Sequence, residues 1–421
     1  MKYTVPILLI AFISICIFLS LNANKLPGKL IWSDMEGYYV YLPATFIHGG
    51  FSGFQVKDTS YLKPWPNTDK IYTKYTSGVA LLEAPFFLTA HLLSKPLGYE
   101  SDGYSLIYSY ALMAAGVFYM VMGLIFLWHI LKKYYSRLVS MIALGGIIFG
   151  TNLYYYTFFQ PSMSHVYSFS LFAMLLWITE KIFSPATPVK NNSILNWSLF
   201  GLIAGLIVLI RPTNIVVLLY PLYRFWKEYD PAYHFLKHQA RYLLIAALCF
   251  CIVWIPQIFY WHSVTGSFFM WSYGEESFKY WQEPKLIRVL IDPWNGWLLY
   301  SPIVILPLTG LFLKSNYNPY YNKVTCIILI VATYIFASWW AWWFGGAFGH
   351  RSYVEYYALL ALPFGQVVTV AFRKKWLSIL FIVFYLFFIY YNIGLTYLYQ
   401  PPWDGPSWTY QSLLNEIKKL L

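Results

Sequence analysis

Long apolar stretches separated by short polar segments are the dominant pattern of this chain. Runs of about 20 apolar residues, the length that a helix needs to cross the core of a bilayer, recur at residues 3–22, 104–131 and 376–397. Of the 421 residues, 59% are hydrophobic and 11% are charged, a composition that is not typical of a water-soluble domain. The pattern therefore predicts an all-α polytopic membrane protein.

The other apolar stretches bring the predicted total to about eleven passes. Residues 197–226 are too long for one ordinary span and carry Arg211–Pro212 near their centre. Because proline cannot continue the hydrogen-bond ladder of a helix, and because an arginine inside a membrane must face protein or water, this stretch is predicted to form two half-passes joined at that point. Further passes are predicted at 138–159, 166–182, 242–262, 301–313, 324–343 and 353–372.

Clusters of basic residues predict the orientation of these passes. The net charge of +12 is carried largely by short Lys/Arg runs between apolar stretches, which is typical of cytoplasmic loops and does not indicate a nucleic-acid partner. We expect a cytoplasmic N-terminus and one membrane domain over residues 1–421, surrounded by membrane lipids. The clusters are Lys132, Lys133 and Arg137; Arg224 and Lys227; Lys237 and Arg241; and Arg373, Lys374 and Lys375.

Three polar segments are predicted to lie on the outer face. They are a first loop at 24–103, a second loop at 263–300 and a short tail at 398–421. Within the first loop, residues 77–93 are apolar but include Glu83. A helix lying on the membrane interface therefore fits this stretch better than a span does.

Two carboxylates, Asp34 and Glu36, directly follow the first predicted span. Paired acids at a membrane surface in so apolar a chain indicate an active site. The alternative is that they are solvated and cap the helix that follows, since aspartate is a favourable N-cap residue.

Several short motifs reinforce the interpretation of this region as an active site. They are Asp34-Met-Glu36, Lys74-Tyr-Thr-Ser-Gly78, Ala84-Pro-Phe-Phe87, Leu209-Ile-Arg-Pro-Thr213, Pro293-Trp-Asn-Gly-Trp297 and Phe348-Gly-His-Arg-Ser-Tyr353. Together, over nearly the whole chain, they resemble bacterial GT-C glycosyltransferases, which are integral-membrane enzymes related to the protein O-mannosyltransferases and the lipid A aminoarabinose transferases.

The resemblance implies a GT-C-like fold with interfacial helices in the first outer loop. It also implies transfer of a sugar from a polyprenyl-phosphate donor to a lipid or glycan acceptor, with inversion at the sugar carbon. The active site would lie on the extracytoplasmic face of the cytoplasmic (inner) membrane. A lipid-linked donor agrees with the sequence, which contains neither a phosphate-binding P-loop motif nor a Rossmann fingerprint for a nucleotide.

The reaction that the resemblance implies requires a base and a cation. Asp34 is the first candidate for the general base that accepts the proton of the acceptor hydroxyl. Glu36 is the second candidate, or a partner that orients the acceptor or a metal. A cation would stabilise the departing phosphate, for which the bidentate fork of arginine is well suited. Candidates for this role are Arg351 first, followed by Lys74, Arg211 and His165.

Three of these four candidates also have a structural interpretation. Arg351 could anchor the chain among lipid headgroups, Arg211 could satisfy carbonyl groups freed at Pro212, and His165 could cap a helix.

Asp34 and Glu36 could hold a divalent ion together with the donor phosphate. Because no third ligand is identifiable, metal dependence stays open, and no other cofactor is predicted.

Two other classes of function remain open. A transporter or a flippase for lipid-linked glycans would also have many spans and an intramembrane arginine, but such folds commonly have inverted repeats, and the sequence has one helix break and no internal repeat. A binding or assembly protein without catalysis would be indicated if both Asp34 and Glu36 proved dispensable.

Overall fold

The described part of the chain is mostly helical. A computed structural model describes residues 4–23, 30–52, 62–183, 193–228 and 232–420, with 69% helix and 2% strand. The α-helices are α1 (Thr4–Ala23), α2 (Asp34–Tyr39), α3 (Tyr41–Phe46), α4 (Gly78–Ser94), α5 (Leu106–Leu131), α6 (Arg137–Phe149), α7 (Leu153–Phe158), α8 (Ser164–Ile182), α9 (Ile194–Ile210), α10 (Leu219–Glu228), α11 (Ala232–Thr265), α12 (Leu286–Ile291), α13 (Trp297–Tyr300), α14 (Ile305–Gly310), α15 (Pro319–Ser338), α16 (Tyr357–Ala371), α17 (Lys375–Leu398) and α18 (Tyr410–Lys418). Short 3₁₀ helices lie at Pro212–Leu218, Pro302–Val304 and Arg351–Tyr356.

Several helices have the length and apolarity that a membrane span requires. Within the described residues there are five, at Leu106–Leu131, Ala240–Thr265, Tyr320–Ser338, Arg351–Ala371 and Lys375–Leu398. Shorter apolar helices, α4, α6, α9 and the Ile13–Ala23 part of α1, accompany them. The chain is therefore an all-α protein with helices of membrane-spanning length, whereas the total of about eleven passes stays a prediction.

Two predicted passes do not form the single helices expected of them. Over 301–313, the 3₁₀ helix Pro302–Val304 leads into the six residues of α14. This segment is shorter than the roughly 20 helical residues of a single span, so the pass predicted there stays a prediction. Over 138–159, the helix ends at Phe149 and restarts at Leu153.

The predicted helix break at Arg211–Pro212 is present. Helix α9 ends at Ile210, Arg211 is extended (φ −149°, ψ 111°), and Pro212 opens the 3₁₀ helix that continues into α10. Contact with the proline ring disfavours helical geometry at the preceding residue, and this contact contributes to the end of α9 before Arg211.

Close packing between helices holds the bundle together. Helix α5 packs along α8, and α9 packs along α11. At the second contact, a Cβ on Gly201 would lie 2.1 Å from the carbonyl oxygen of Ala246. Only glycine permits this approach, and small residues are the usual means by which apolar helices come close in membranes.

The described residues of the first predicted outer loop, 30–52 and 62–103, form several short elements. They include α2 and α3, an antiparallel hairpin of strands β1 (Leu62–Pro64) and β2 (Ile71–Thr73), and helix α4. Helix α4 covers the stretch predicted to lie at the membrane interface, but one of its faces packs on α5. There Glu83 is buried and accepts hydrogen bonds from the hydroxyls of Ser162 and Tyr167, at 2.6 and 2.8 Å.

Candidate functional site

A cavity lies where the ends of several helices meet. The beginnings of α2 and α8, the ends of α9 and α15, and the 3₁₀ helix before α16 all contribute side chains to it. Its volume is about 210 Å³. Charged and polar residues in its lining are Asp34, Lys74, Ser164, His165, Arg211, Glu276 and Arg351, and its aromatic residues are Tyr38, Tyr75, Trp271, Tyr273, Phe278, Phe336, Trp339 and Phe344.

Asp34 and Arg351 form an ion pair in this cavity. Asp34 opens α2 directly after Ser33, whose positive φ of 59° is uncommon for a residue other than glycine. Arg351 opens the 3₁₀ helix that follows Gly349, where φ is +64°. The distance between Arg351 Nη1 and Asp34 Oδ2 is 2.9 Å, and the two side chains are only 18% and 14% exposed.

The surroundings of Asp34 keep it ionised. Burial alone would raise the pKa of Asp34, but the charge of Arg351, a hydrogen bond with Tyr75 and the charge of Lys74 outweigh burial and lower the pKa below its ordinary value. The side chain of Asp34 is thus engaged with a cation, and the residue before it, Ser33, is the N-cap of α2. These contacts support a role in the cavity rather than helix capping.

Arg211 reaches the cavity at the break between α9 and the following 3₁₀ helix. Its Nη1 donates to Oε1 of Glu355 at 3.2 Å and lies 3.2 Å from Nδ1 of His165. Its Nη2 donates to the hydroxyl of Ser352 at 3.0 Å. The guanidinium hydrogen bonds described for Arg211 therefore go to side chains and not to the carbonyls near Pro212.

One aromatic ring lies beside both arginines. The ring of Phe344 is 5.8 Å from the guanidinium carbon of Arg211 and 6.0 Å from that of Arg351. Cations are attracted to the face of an aromatic ring at such distances. Both guanidinium groups thus lie near the same aromatic ring in the lining of the cavity.

Lys74 holds the second predicted outer loop against the cavity. Its ammonium group contacts Oε1 of Glu276 at 2.9 Å, and the two side chains are 26% and 28% exposed. The carbonyl of Lys74 also accepts a hydrogen bond of 2.6 Å from the hydroxyl of Ser272. Loop residues Trp271, Tyr273, Glu276 and Phe278 line the cavity as a result.

Five of the six residues selected from the sequence line the cavity, and Glu36 does not. Residues two apart in a helix point about 200° away from each other, so Glu36 faces away from the side of α2 that carries Asp34. The side chain of Glu36 is buried and interacts with the phenol of Tyr104. The structure therefore places Glu36 outside the cavity, contrary to the prediction that it lies in the candidate site.

The positions of Asp34 and Glu36 also decide whether these two residues can hold the divalent metal ion that the sequence left open. Asp34 and Glu36 do not face a common point, and the described part of the chain contains no group of three or more His, Cys, Asp or Glu side chains able to hold a metal ion. The residues at this site do not fit a resident metal of the kind that the Asp34–Glu36 pair suggested.

Two carboxylates of the site, Glu276 and Glu355, were not selected from the sequence. The spacing of Glu276 in the second loop carries no signal. A signal for Glu355 was present, since it is the one acid within the predicted pass 353–372, and an ionisable residue inside an apolar segment is a functional candidate by default.

Comparisons of this chain with protein-family models, with curated proteins and with solved structures found no match in any of the three. The assignment of a function therefore depends on the geometry of the cavity.

Proposed function

We propose that this protein is a membrane glycosyltransferase that moves a sugar from a polyprenyl-phosphate donor to a lipid or glycan acceptor. The observation that carries the proposal is the convergence of Asp34, Arg351, Arg211 and Lys74 in one cavity of an otherwise apolar helical protein. A carboxylate and several fixed cations are the groups needed for displacement of a phosphate from a sugar carbon.

The chemical step follows from the roles of these groups. The acceptor hydroxyl oxygen attacks the anomeric carbon, a carbon–oxygen bond forms, and the bond from that carbon to the phosphate oxygen breaks. The electron pair of that bond leaves with the lipid phosphate, whose negative charge is stabilised by Arg351 and Arg211. The hydroxyl proton passes to the carboxylate of Asp34. Attack opposite the leaving group inverts the configuration at the sugar carbon.

The ion pair in the cavity links donor binding to the base. A donor phosphate that contacts Arg351 competes with Asp34 for the same guanidinium, which is 2.9 Å from the carboxylate in this structure. Once Asp34 loses this partner, its environment favours the charged form less. Donor binding would thus make Asp34 a stronger base when the acceptor hydroxyl is present.

An apolar groove beside the cavity suits a donor with a long hydrocarbon tail. Ile215 and Leu218 contribute to the groove, while Pro212 and Thr213, in the same 3₁₀ helix, line the cavity. The rise of a 3₁₀ helix is about 2 Å per residue, so the two spaces are adjacent. The groove has a volume of about 730 Å³, and apolar side chains of α9, α10 and α11 line most of it.

The proposed setting is the cytoplasmic (inner) membrane, with a GT-C-like fold of about eleven passes and the cavity on the extracytoplasmic face. The basic clusters between apolar segments support this orientation. On this arrangement the donor enters from the lipid phase and the acceptor from outside.

Transfer of radiolabelled sugar from a polyprenyl-phosphate donor pool into lipid and polymer fractions tests the proposal. Membranes containing the wild type, Asp34→Asn or Glu416→Gln would be compared at matched expression; Glu416 pairs with Lys419 on the terminal helix and does not line the cavity. We expect transfer by the wild type and by Glu416→Gln, and loss of transfer in Asp34→Asn. A wild type that binds the lipid phosphate and moves it across the bilayer without transferring sugar would overturn the proposal in favour of a transporter or flippase.

A further inference from the structure

A buried carboxylate, Glu355, lies directly behind the cavity. It occurs in the 3₁₀ helix Arg351–Tyr356, its side chain is 0% exposed, and it is not part of the cavity lining. Its two oxygens contact two different residues of that lining. Oε1 accepts from Arg211 Nη1, and Oε2 lies 3.2 Å from His165 Nδ1.

Because Glu355 is buried, its contacts with Arg211 and His165 have a large effect on its energy. A buried carboxylate costs several kcal/mol of desolvation unless a cation and hydrogen bonds compensate it, and Glu355 has Arg211 as its cation. Removing one partner of such a pair leaves an uncompensated charge. The orientation of Arg211 is thus tied to a group that does not itself reach the cavity.

Arg211 is held at both of its terminal nitrogens. Nη1 binds Glu355, and Nη2 binds Ser352 at 3.0 Å. Glu355 and Ser352 belong to the same short 3₁₀ helix, which Arg351 opens. One rigid segment therefore provides Arg351 to the cavity directly and fixes Arg211 from behind, so the separation of the two guanidinium groups depends on this segment.

Glu355 also contacts the imidazole of His165. Nδ1 of His165 lies 3.2 Å from Oε2 of Glu355 and also 3.2 Å from Nη1 of Arg211. A carboxylate only accepts hydrogen bonds and a guanidinium only donates them, so in either tautomer Nδ1 has a partner among these two groups. The imidazole is therefore held between Glu355 and Arg211.

We infer that Glu355 is a positioning residue, which orients Arg211 and His165 so that Arg211 and Arg351 together bind the phosphate of the lipid donor. The inference rests on the proposed function for the identity of the ligand. Glu355 itself does not contact the donor.

The test is a double-mutant cycle on phosphate binding. The dissociation constant for a polyprenyl monophosphate would be measured with purified protein in nanodiscs for the wild type, Glu355→Gln, Arg211→Gln and the double variant. Hydrogen bonds to charged groups contribute enough to expect about 10- to 100-fold weaker binding for each single variant. If Glu355 acts through Arg211, the double variant binds no more weakly than Arg211→Gln alone.

A second ion pair in the chain offers a matched control. Glu180 pairs with Arg224 at 3.7 Å, and its side chain is 13% exposed, but it lies outside the cavity. We expect Glu180→Gln to lower the melting temperature and leave the dissociation constant for the lipid phosphate within about twofold of the wild type. If Glu355→Gln does not fold, Glu355→Asp keeps the charge on a shorter side chain and is expected to show weaker binding that is again non-additive with Arg211→Gln.

Three outcomes would overturn the inference. Glu355→Gln could bind the lipid phosphate more tightly, which would make Glu355 a competing charge. Losses in the double variant could be additive, which would make its effect independent of Arg211. The wild type could also fail to bind the lipid phosphate. Sugar transfer is measured separately. If the wild type binds the lipid phosphate and the two variants are non-additive as expected, but no sugar is transferred, the proposed enzymatic function is wrong and the positioning role of Glu355 stands.

Discussion

Asp34 and Arg351 come from opposite ends of the chain, and their side chains meet at 2.9 Å inside the cavity. The pair joins the first residue of α2 to the 3₁₀ helix that precedes α16. A carboxylate proposed as the base and a cation proposed for the phosphate thus neutralise each other in this structure. Donor binding has to separate them.

Asp34→Asn is expected to change catalysis and binding in opposite directions. Loss of the base should lower the rate of sugar transfer by about 100-fold or more. Loss of the carboxylate should also release Arg351, so binding of a polyprenyl monophosphate should become tighter by up to about tenfold. Rate and dissociation constant would be measured on the same purified preparations, with Glu416→Gln as the control. Weaker phosphate binding in Asp34→Asn would contradict competition for Arg351.

The lowered pKa of Asp34 predicts how the ion pair contributes to stability as pH changes. A pKa below the ordinary aspartate value of about 3.9 means that the pair stabilises the folded protein above that pH, and that this contribution is lost as pH falls through the folded-state pKa. We therefore expect the wild type to melt at a higher temperature than Asp34→Asn near neutral pH, and the two curves to converge below about pH 4.

The same measurement on Arg351→Gln tests the cause of the shift. Without Arg351, burial would still raise the pKa of Asp34, so the pH at which Asp34 titrates should move upward. Lys74→Gln should move it less, because the charge of Lys74 has a smaller influence on Asp34 than that of Arg351. Equal shifts in the two variants would indicate that the charge of Lys74 affects the pKa of Asp34 as strongly as that of Arg351 does.

The contact between Lys74 and Glu276 should matter for binding more than for stability. Its side chains are 26% and 28% exposed, and ion pairs with access to solvent contribute about 0.2–1 kcal/mol. Glu276→Gln should therefore leave the melting temperature nearly unchanged. It should tighten phosphate binding at low ionic strength because Lys74 becomes available, and this gain should disappear at high salt, where exposed charges are screened. A gain that persists at high salt would point to a change in the loop instead.

Pro212 should be needed to direct Arg211 into the cavity. Pro212→Ala restores a backbone N–H and removes the restriction on the preceding residue, so α9 can continue through Arg211. We expect phosphate binding to weaken by about tenfold or more, because the guanidinium then leaves its contacts with Glu355 and Ser352. Pro256→Ala, in the interior of α11, is the control and should leave the dissociation constant unchanged. Unaltered binding in Pro212→Ala would show that packing alone directs Arg211.

The sequence by itself determined the class of fold and most of the chemical groups. Apolar runs of about 20 residues specify membrane-spanning helices because the bilayer thickness sets that length. The helix break at Arg211–Pro212 was predictable because it depends on one local steric contact. Five of the cavity residues could be selected because charged side chains are costly in an apolar chain and are rarely placed there without a partner.

Only the tertiary structure decided which of these groups face one another. The sequence ranks Asp34 before Glu36 but does not show which of them meets a cation. The periodicity of α2 and its packing turn Asp34 toward Arg351 and Glu36 toward Tyr104. The pairing of Arg211 with Glu355 depends on contact between α9 and the segment before α16, which no local pattern encodes. Ion pairs of this kind require segments far apart in the chain to be brought within about 4 Å, and that distance is set by the packing of the helices as a whole.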